Sequence, residues 1–297
     1  MKKVIVIAGP TAVGKTSFSI ELAKKYGLEI ISGDSIQVYK GLDIGSGKVT
    51  KEEMNGVKHH LIDILSPKDA YNVSIFQKMA RELIDTSEKP MIICGGTGLY
   101  LKACLYDYSF ENEKEEAYDP ELEKYTNEEL YAMLEKSDPI QATKIHPNNR
   151  RRVMRSLTIQ KNTGKTQSEI EKEQKHELLY DAIIIGCTMD REKLYERINM
   201  RVEKMFEDGL ENEIKTLLDE GVTFTDTCME GIGYKEWKDY FQGNMTEDEV
   251  KHLIQKNSRN FAKRQYTWFK HQMPVRWYDV TNKDDDIYKE VDSFLKD

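Results

Sequence analysis

The stretch Gly9-Pro10-Thr11-Ala12-Val13-Gly14-Lys15-Thr16 decides the fold of this 297-residue chain. It reads G-x-x-x-x-G-K-T and follows the apolar run at residues 4–8, which predicts a strand leading into a phosphate-binding loop. Backbone N–H groups of such a loop surround phosphate oxygens, and the helix that follows adds the positive end of its dipole. We expect residues 9–16 to bind a di- or triphosphate, with Lys15 reaching the outer phosphate. The Thr16 hydroxyl would hold Mg²⁺ or a phosphate oxygen.

Short apolar runs recur along the chain and indicate the fold class. They lie at residues 4–8, 29–31, 60–64, 91–94, 182–185 and 275–278. Most are rich in β-branched residues, and helical patterns separate them, which is typical of βαβ units. We expect an α/β fold of the P-loop NTPase-like kind, a parallel sheet flanked by helices.

One interval lacks a strand-like run. Between Cys94 and Asp181 the sequence is charged and helical, and Gly164 is placed to end a helix. Helix starts are indicated at Asp119-Pro120, Asp138-Pro139 and His146-Pro147-Asn148. We expect residues 111–179 to form an inserted all-helical domain, and residues 1–110 with 180–297 to form a discontinuous α/β core domain.

Charge is distributed unevenly. A net charge of −8 alone argues against a nucleic-acid partner. However, two windows contain no acidic residue. Residues 139–168 carry Lys144, Arg150, Arg151, Arg152, Arg155, Lys161 and Lys165, and residues 251–271 carry Lys251, Lys256, Arg259, Lys263, Arg264 and Lys270. Segregation of this kind on an acidic protein indicates a polyanion-binding site.

Composition narrows the class of protein further. No run approaches the 18 apolar residues of a membrane span, and the first residues lead straight into a strand, so we expect no signal peptide. The four cysteines form no C-x-x-C pair, which argues against a zinc site or a disulfide framework. We expect reduced thiols in a cytoplasmic protein.

Asp34 follows the second predicted strand. The carboxyl ends of parallel strands meet at one edge of the sheet, so Asp34 should lie beside the phosphate-binding loop. A carboxylate there can act as a base or as an outer ligand of magnesium. Alternatively, Asp34 or Ser35 only caps a helix.

In motif content the chain resembles the bacterial tRNA dimethylallyltransferases, the tRNA isopentenyltransferase (IPP transferase) family. The matching segments, in order, are Gly9–Thr16, Ser32-x-Asp34-Ser35-x-Gln37-x-Tyr39, Asp43-Ile44-Gly45, His59-His60-Leu61-x-Asp63, Gly95-Gly96-Thr97-Gly98-Leu99-Tyr100, His146-Pro147-Asn148-Asn149, Arg197-Ile198-x-x-Arg201, Gly231-Ile232-Gly233-Tyr234 and Lys263-Arg264-Gln265-x-Thr267-Trp268. Each is weak alone, but the order is specific. Ser46-Gly47 stands where the family often has Thr-Ala.

The resemblance implies transfer of a dimethylallyl group from dimethylallyl diphosphate to N6 of the adenosine at tRNA position 37, just 3′ of the anticodon. Residues 9–16 would then hold diphosphate rather than ATP, with Mg²⁺ near Thr16 and Arg201 on the diphosphate. Asp34 would accept the N6 proton. Thr97 would lie near the transferring group, or would only shape its turn.

The implied partners are the tRNA anticodon arm and dimethylallyl diphosphate, without DNA or membrane, and we expect a monomer. The predicted tRNA contacts are Asp34, Ser35, Ile36, Gln37, Arg151, Arg152, Arg155, Gly233, Tyr234, Lys263, Arg264, Gln265 and Trp268.

Two other functions share parts of this pattern. A small-molecule or nucleotide kinase would share the loop, the sheet and the acidic residue on the second strand, but needs no second basic patch beside aromatic residues. A non-catalytic RNA-binding NTPase would explain the basic windows but would leave Asp34 and Thr97 without a role.

Overall fold

A computed structural model describes residues 1–108, 119–174, 176–282 and 286–296. The chain divides into two compact units. Unit 1 comprises Met1–Leu105 with Leu179–Asp297, and unit 2 comprises Tyr106–Leu178. The sequence had predicted an inserted domain at 111–179, and the first residues of that range lie outside the described ranges.

Unit 1 contains a six-stranded sheet. Its strands are β1 (Lys3–Ala8), β2 (Glu29–Ser32), β3 (His59–His60), β4 (Met91–Gly95), β5 (Asp181–Thr188) and β6 (Arg276–Asp279). Their order is β3-β2-β4-β1-β5-β6, and each neighbouring pair is parallel. The predicted parallel α/β sheet is therefore confirmed.

Thirteen α-helices are present in the described ranges. They are α1 (Lys15–Tyr26), α2 (Lys51–Met54), α3 (Val73–Thr86), α4 (Gly98–Leu105), α5 (Asn127–Ser137), α6 (Pro139–Lys144), α7 (Arg150–Thr163), α8 (Gln167–Glu173), α9 (Arg191–Glu207), α10 (Leu210–Asp219), α11 (Lys238–Phe241), α12 (Glu247–Gln272) and α13 (Asp286–Lys296). No helix in this part of the chain is both long enough and apolar enough to cross a bilayer.

β1 is central because its side chains are apolar on both faces. Residues 4–8 are 0% exposed, as a strand covered on both sides of a parallel sheet must be. Ile5 stands opposite Ile92 of β4 on one side and Ile183 of β5 on the other. This buried strand fixes where the phosphate-binding loop emerges.

The strand predicted at residues 60–64 was wrong over most of its length. β3 contains only His59 and His60. Leu61 (φ 60°) and Asp63 (φ 55°) then adopt left-handed backbone conformations, which a strand cannot contain. The alternating apolar residues therefore belong to a turn that leaves the sheet, and period-two spacing alone could not distinguish the two.

Unit 2 is helical in its described residues. Asp138 caps α6, and Asn149 caps α7 by accepting a hydrogen bond from the backbone N–H of Arg152. Gly164, with φ 73°, ends α7, as the sequence predicted. Its small core contains Leu130, Leu134, Ala142, Ile145, Val153 and Met154.

The carboxyl ends of β1, β2 and β4 bring three loops of unit 1 together. β4 lies between β1 and β2, and the backbone N–H of Gly33 donates to the carbonyl of Cys94 at 2.8 Å. The residues that follow each of the three strands therefore share one edge of the sheet, where ligands of open α/β folds bind.

Candidate active site

The phosphate-binding loop joins β1 to α1 and depends on unusual backbone angles. Gly9 (φ 138°), Ala12 (φ 62°) and Gly14 (φ 103°) all have positive φ. A Cβ on Gly9 would lie 2.6 Å from the carbonyl oxygen of Cys187 on β5, so only glycine fits there. Helix α1 begins at Lys15. Its free N–H groups and dipole therefore face the position that an anion would occupy.

Lys15 lies folded over this loop. Its Nζ donates to the carbonyl oxygen of Pro10 at 2.6 Å. Burial lowers the pKa of Lys15 because desolvation penalises the ammonium form. A bound anion would favour the charged form, so this side chain is suited to contact a diphosphate.

Arg201 reaches the same loop from α9. Its guanidinium donates to Thr11 Oγ1 at 3.2 Å and to the carbonyl oxygen of Ser46 at 3.0 Å. Burial lowers the pKa of Arg201 as well. On the preceding turn, a terminal nitrogen of Arg197 lies 3.8 Å from the place that a Cβ of Gly14 would take. Arg201, which the resemblance assigns to the diphosphate, therefore lies at the phosphate-binding loop.

Asp34 and Thr16 line one pocket, which supports the predicted juxtaposition of the carboxylate and the phosphate-binding loop. The pocket is lined by Thr16, Ser19, Ile30, Ser32, Asp34, Gln37, Val49, His59, Ile62, Cys94 and Gly95. Six of these residues carry side-chain hydroxyl, carboxylate, amide or imidazole groups. The pocket can therefore orient a polar acceptor next to the phosphate-binding loop.

Asp34 also shapes its own turn. Its Oδ1 accepts hydrogen bonds from the backbone N–H groups of Ile36 at 2.8 Å and Gln37 at 3.2 Å. Asp34 therefore caps a turn, and the helix that the alternative required does not follow it. These bonds fix the carboxylate, and Oδ2 has no hydrogen-bond partner among the described residues. The Asp34 carboxylate can therefore cap the turn through Oδ1 and still accept a proton at Oδ2.

Ser35, Ile36 and Gln37 follow in this turn and are half-buried. The amide of Gln37 donates to the carbonyl oxygen of Gly47 at 3.3 Å. Ile36 lies close to Gly231, where an added Cβ would come within 3.0 Å of Ile36 Cγ1. The turn is thus held from two sides.

Thr97 lies between β4 and α4 in the glycine-rich turn and is half-buried. Its carbonyl oxygen accepts the N–H groups of Tyr100 and Leu101, at 2.9 and 3.3 Å, which starts the helix. The next residue, Gly98, meets the ring of Trp268 so closely that a Cβ would lie 2.1 Å from it. A turn-shaping role for Thr97 is visible, whereas a catalytic role stays a prediction.

The residues predicted to contact tRNA on α12 differ in placement. Lys263 and Arg264 are exposed, and the Arg264 guanidinium lies 5.7 Å from the Phe261 ring centroid. Gln265 is buried and bonds within the chain at both ends of its amide, to the Thr11 N–H and the Gly96 carbonyl. The geometry gives Gln265 a bracing role and does not support an RNA contact for it.

Gly233 and Tyr234 also serve the interior of unit 1. Tyr234 is 0% exposed, and its hydroxyl donates to Glu213 at 2.8 Å and accepts the Ser46 N–H at 3.0 Å. Gly233 (φ 103°) approaches the Gly45 carbonyl, 2.8 Å from the place of a Cβ. Neither residue is presented to a large ligand.

In unit 2, α7 carries five of the seven cations of the first basic window. Arg151, Arg152 and Arg155 are exposed. Arg150 instead turns inward and donates to the carbonyl oxygens of Tyr125 at 2.8 Å and Glu123 at 3.0 Å. One arginine of the window is therefore structural, and the other three are placed on the surface of the helix.

His59 belongs to the segment His59-His60-Leu61-x-Asp63, but the sequence predicts no role for it. His59 Nδ1 lies 2.9 Å from the Val57 carbonyl oxygen, which can only accept, so Nδ1 carries the proton. Burial lowers the pKa of His59, which favours the neutral ring. Its Nε2 lone pair is buried and has no partner among the described residues. His59 lies in β3, the neighbour of β2, and the His59-His60 pair of the quoted segment was the signal that the sequence offered.

The donor set also fits a magnesium ion. No group of three or more His, Cys, Asp or Glu side chains in the described residues could enclose a metal. Mg²⁺ in phosphate sites needs no such cage, because it takes most of its ligands from water and phosphate oxygens. The Thr16 hydroxyl at the start of α1, with the Asp34 carboxylate in the same pocket, suits that mode of binding.

The chain is similar to a protein-family model and to several known proteins. The family model described as IPP transferase matches residues 37–272. The chain is 49% identical to the tRNA dimethylallyltransferase of Anoxybacillus flavithermus, over 97% of this chain and 93% of the relative. It is also 49% identical to the tRNA dimethylallyltransferase of Bacillus subtilis, over 94% of this chain and 91% of the relative.

Solved structures agree. The tRNA isopentenylpyrophosphate transferase of Bacillus halodurans superimposes with a TM-score of 0.75 at 41% identity, covering 100% of this chain and 97% of that chain. A eukaryotic dimethylallyltransferase acting on tRNA gives a TM-score of 0.81 at 31% identity, covering 98% of this chain and 78% of that chain. With a family model that spans most of the chain and relatives of nearly equal length, the chain belongs to the IPP transferase family.

Proposed function

We propose that this protein transfers a dimethylallyl group from dimethylallyl diphosphate to N6 of the adenosine at tRNA position 37. The products are N6-isopentenyladenosine and diphosphate. The observation that carries this proposal is the pocket that the Asp34 carboxylate shares with Thr16 of the phosphate-binding loop. The relatives named tRNA dimethylallyltransferase support the same reaction.

The first requirement is stabilisation of the leaving group. As the allylic C–O bond breaks, negative charge develops on the diphosphate. The backbone N–H groups of residues 9–16, the Lys15 ammonium and the Arg201 guanidinium would surround that charge. Preorganised donors of this kind stabilise a transition state more than groups that must first reorient. Lys15 and Arg201 are desolvated by burial, which strengthens their attraction for an anion.

Magnesium would supply further charge neutralisation on the diphosphate when bound. We propose that Thr16 holds it, directly or through water.

The second requirement is removal of a proton from the acceptor. The N6 amine of adenine is a poor nucleophile because its lone pair is delocalised into the ring. The new C–N bond therefore forms as the N6 proton leaves, and we propose that Asp34 Oδ2 receives this proton. Oδ1 is held by two backbone N–H groups, so the carboxylate needs no reorientation.

The third requirement is access of the adenosine. A base that reacts in such a pocket has to leave its stack. We propose that Lys263, Arg264 and Trp268 of α12 contact the tRNA anticodon arm, with Gln37 beside the flanking nucleotides. In unit 2, exposed Arg151, Arg152 and Arg155 would contact the phosphate backbone.

A transfer assay tests this proposal. Purified protein, Mg²⁺, radiolabelled dimethylallyl diphosphate and unmodified tRNA with adenosine at position 37 should give labelled RNA, and ATP should not replace the diphosphate. Asp34→Asn keeps an oxygen for the turn but cannot accept the proton, so the rate should fall by about 10²- to 10⁴-fold.

Asp69→Asn is the matched control, because Asp69 also caps a turn, by accepting the Ser66 N–H at 2.7 Å, but lies outside the pocket. It should keep the wild-type rate. ATP consumption with a small acceptor and no label in RNA would favour the kinase and would exclude the transferase.

A further inference from the structure

The loop at residues 43–47 is held by one carboxylate from α10. Glu213 Oε2 accepts the backbone N–H groups of Asp43 at 2.9 Å and Ile44 at 2.7 Å. Its Oε1 accepts the N–H of Gly45 at 3.0 Å and the hydroxyl of Tyr234 at 2.8 Å. Both oxygens of Glu213 are thus used by four donors, and three of these belong to successive residues of the loop.

Tyr234 completes the attachment. Its hydroxyl oxygen accepts the Ser46 N–H at 3.0 Å while its proton goes to Glu213. Burial and the nearby Glu213 carboxylate raise the pKa of Tyr234, so the phenol keeps its proton as a donor. Gly45 packs on the ring, where a Cβ would lie 2.6 Å from Tyr234 Cζ. Four consecutive N–H groups of the loop are therefore fixed by two side chains.

The opposite side of the same loop faces Arg201. One terminal nitrogen of Arg201 donates to the carbonyl oxygens of Ser46 at 3.0 Å and Gly47 at 3.5 Å, and the other donates to Thr11 Oγ1 at 3.2 Å. A Cβ on Gly47 would lie 1.7 Å from a terminal guanidinium nitrogen, so an alanine there would require the Arg201 side chain to shift. Three of the five guanidinium N–H groups are used, and two have no partner among the described residues.

From this arrangement we infer that Glu213 is a positioning residue for the diphosphate site. It acts through the 43–47 loop, whose carbonyl groups aim Arg201 at the phosphate-binding loop. Glu213 itself touches no reacting group, and it lies in none of the family segments found in the sequence. The inference rests on the proposed function, because it assigns diphosphate as the ligand that Arg201 meets.

The first test is equilibrium binding of inorganic diphosphate with Mg²⁺, measured by calorimetry without tRNA. Glu213→Gln places an amide N–H₂ against backbone donors and so frees part of the loop. A displaced Arg201 should raise the Kd for diphosphate by about 10- to 100-fold, because a misplacement of about 1 Å in a site can cost as much as about 10²-fold. Glu211→Gln is the matched control, since Glu211 lies on the same helix and contacts Tyr240 and Lys215 instead of the loop.

A double variant distinguishes an effect on the position of Arg201 from a general loss of structure. In an Arg201→Ala background, Glu213→Gln should cause no further rise in Kd, because its effect passes through the guanidinium. An equal rise in both backgrounds would overturn the inference, as would a wild-type Kd for Glu213→Gln. Should that variant not fold, Tyr234→Phe removes one of the four hydrogen bonds to Glu213 and is expected to raise the Kd in the same direction.

The transfer assay supplies a different readout. With folded Glu213→Gln, the KM for dimethylallyl diphosphate should rise, whereas a loss of folded enzyme would lower only the apparent kcat. If diphosphate binding follows this pattern but no RNA is labelled, the proposed function is wrong and the positioning role of Glu213 stands. If the wild type does not bind diphosphate, both are excluded.

Discussion

The backbone N–H of Thr11 donates a hydrogen bond to Oε1 of Gln265 at 2.9 Å, although 254 residues separate them. The other end of the same amide donates to the Gly96 carbonyl oxygen at 2.9 Å. One buried side chain of α12 therefore joins the phosphate-binding loop to the glycine-rich turn after β4. Both loops begin at the carboxyl edge of the sheet, and the Gln265 amide braces one against the other.

Replacement of this amide should weaken both the fold and the diphosphate site. Gln265→Leu has a similar volume but leaves the Thr11 N–H and the Gly96 carbonyl without a partner. Each buried unsatisfied group costs about 1–3 kcal/mol, so the free energy of unfolding in urea should fall by an amount in this range or above it. The Kd for diphosphate should also rise, because the phosphate-binding loop is no longer fixed.

Gln255→Leu provides the comparison. Gln255 lies on the same helix and donates to Glu203 at 2.8 Å near the surface. Its loss should change the free energy of unfolding by no more than about 0.5 kcal/mol. Equal losses for the two variants would contradict a specific bracing role for Gln265.

The sequence predicted those features of the site that follow from a local motif or from the common direction of the strands. The phosphate-binding loop is a local pattern, and the place of Asp34 follows from parallel strands that end at one edge. Gln265 was predicted to contact RNA because it stands between basic and aromatic residues. Nothing in the sequence of α12 indicates that its partner is Thr11. Glu213 has the same difficulty: its donors at residues 43–45 become neighbours only after the chain has folded.

Gly98 offers a test of packing at the start of α4. Alanine favours helices over glycine by up to about 1 kcal/mol, but a Cβ here would lie 2.1 Å from the Trp268 ring. Overpacking costs about 1–3 kcal/mol, so the steric effect should win and Gly98→Ala should lower the melting temperature.

The sign should reverse when the ring is removed. In a Trp268→Leu background, Gly98→Ala has room for its methyl group and should raise the melting temperature. The same loss in both backgrounds would show that the ring is not the cause.

His59 should make stability depend on pH. Burial lowers its pKa below the ordinary value of 6.5, with the neighbouring His60 adding to the shift. Below pH 6.5 the unfolded chain binds the proton more readily than the folded chain. The free energy of unfolding should therefore fall as the pH falls from 6.5 toward the folded-state pKa of His59. Well above pH 6.5 both states leave the ring neutral, and the contribution of His59 should be constant.

Urea unfolding of the wild type and of His59→Gln between about pH 5.5 and 8 measures this contribution of His59 to stability. The variant cannot titrate and should lose part of the slope below pH 6.5. Parallel curves for wild type and His59→Gln would show that His59 does not contribute.

The three exposed arginines of α7 should contribute to tRNA affinity through phosphate contacts. Each contact releases counterions, and the slope of log K against log salt changes by about 0.7 per phosphate in single strands and about 0.9 in duplexes. Arg151→Ala, Arg152→Ala and Arg155→Ala should each weaken binding at low salt and make the slope less negative by about that amount. Fluorescence anisotropy with labelled tRNA at about 50–200 mM salt gives both quantities.

Lys136→Ala is the control for this series, because it removes an exposed charge of α5 outside the basic window. It should leave the salt slope unchanged. Arg150→Ala should behave differently from its three neighbours: its guanidinium bonds the carbonyls of Tyr125 and Glu123, so its main effect should be a lower melting temperature. A salt slope that none of the α7 variants alters would remove this helix from the tRNA interface and leave the basic residues of α12 to carry it.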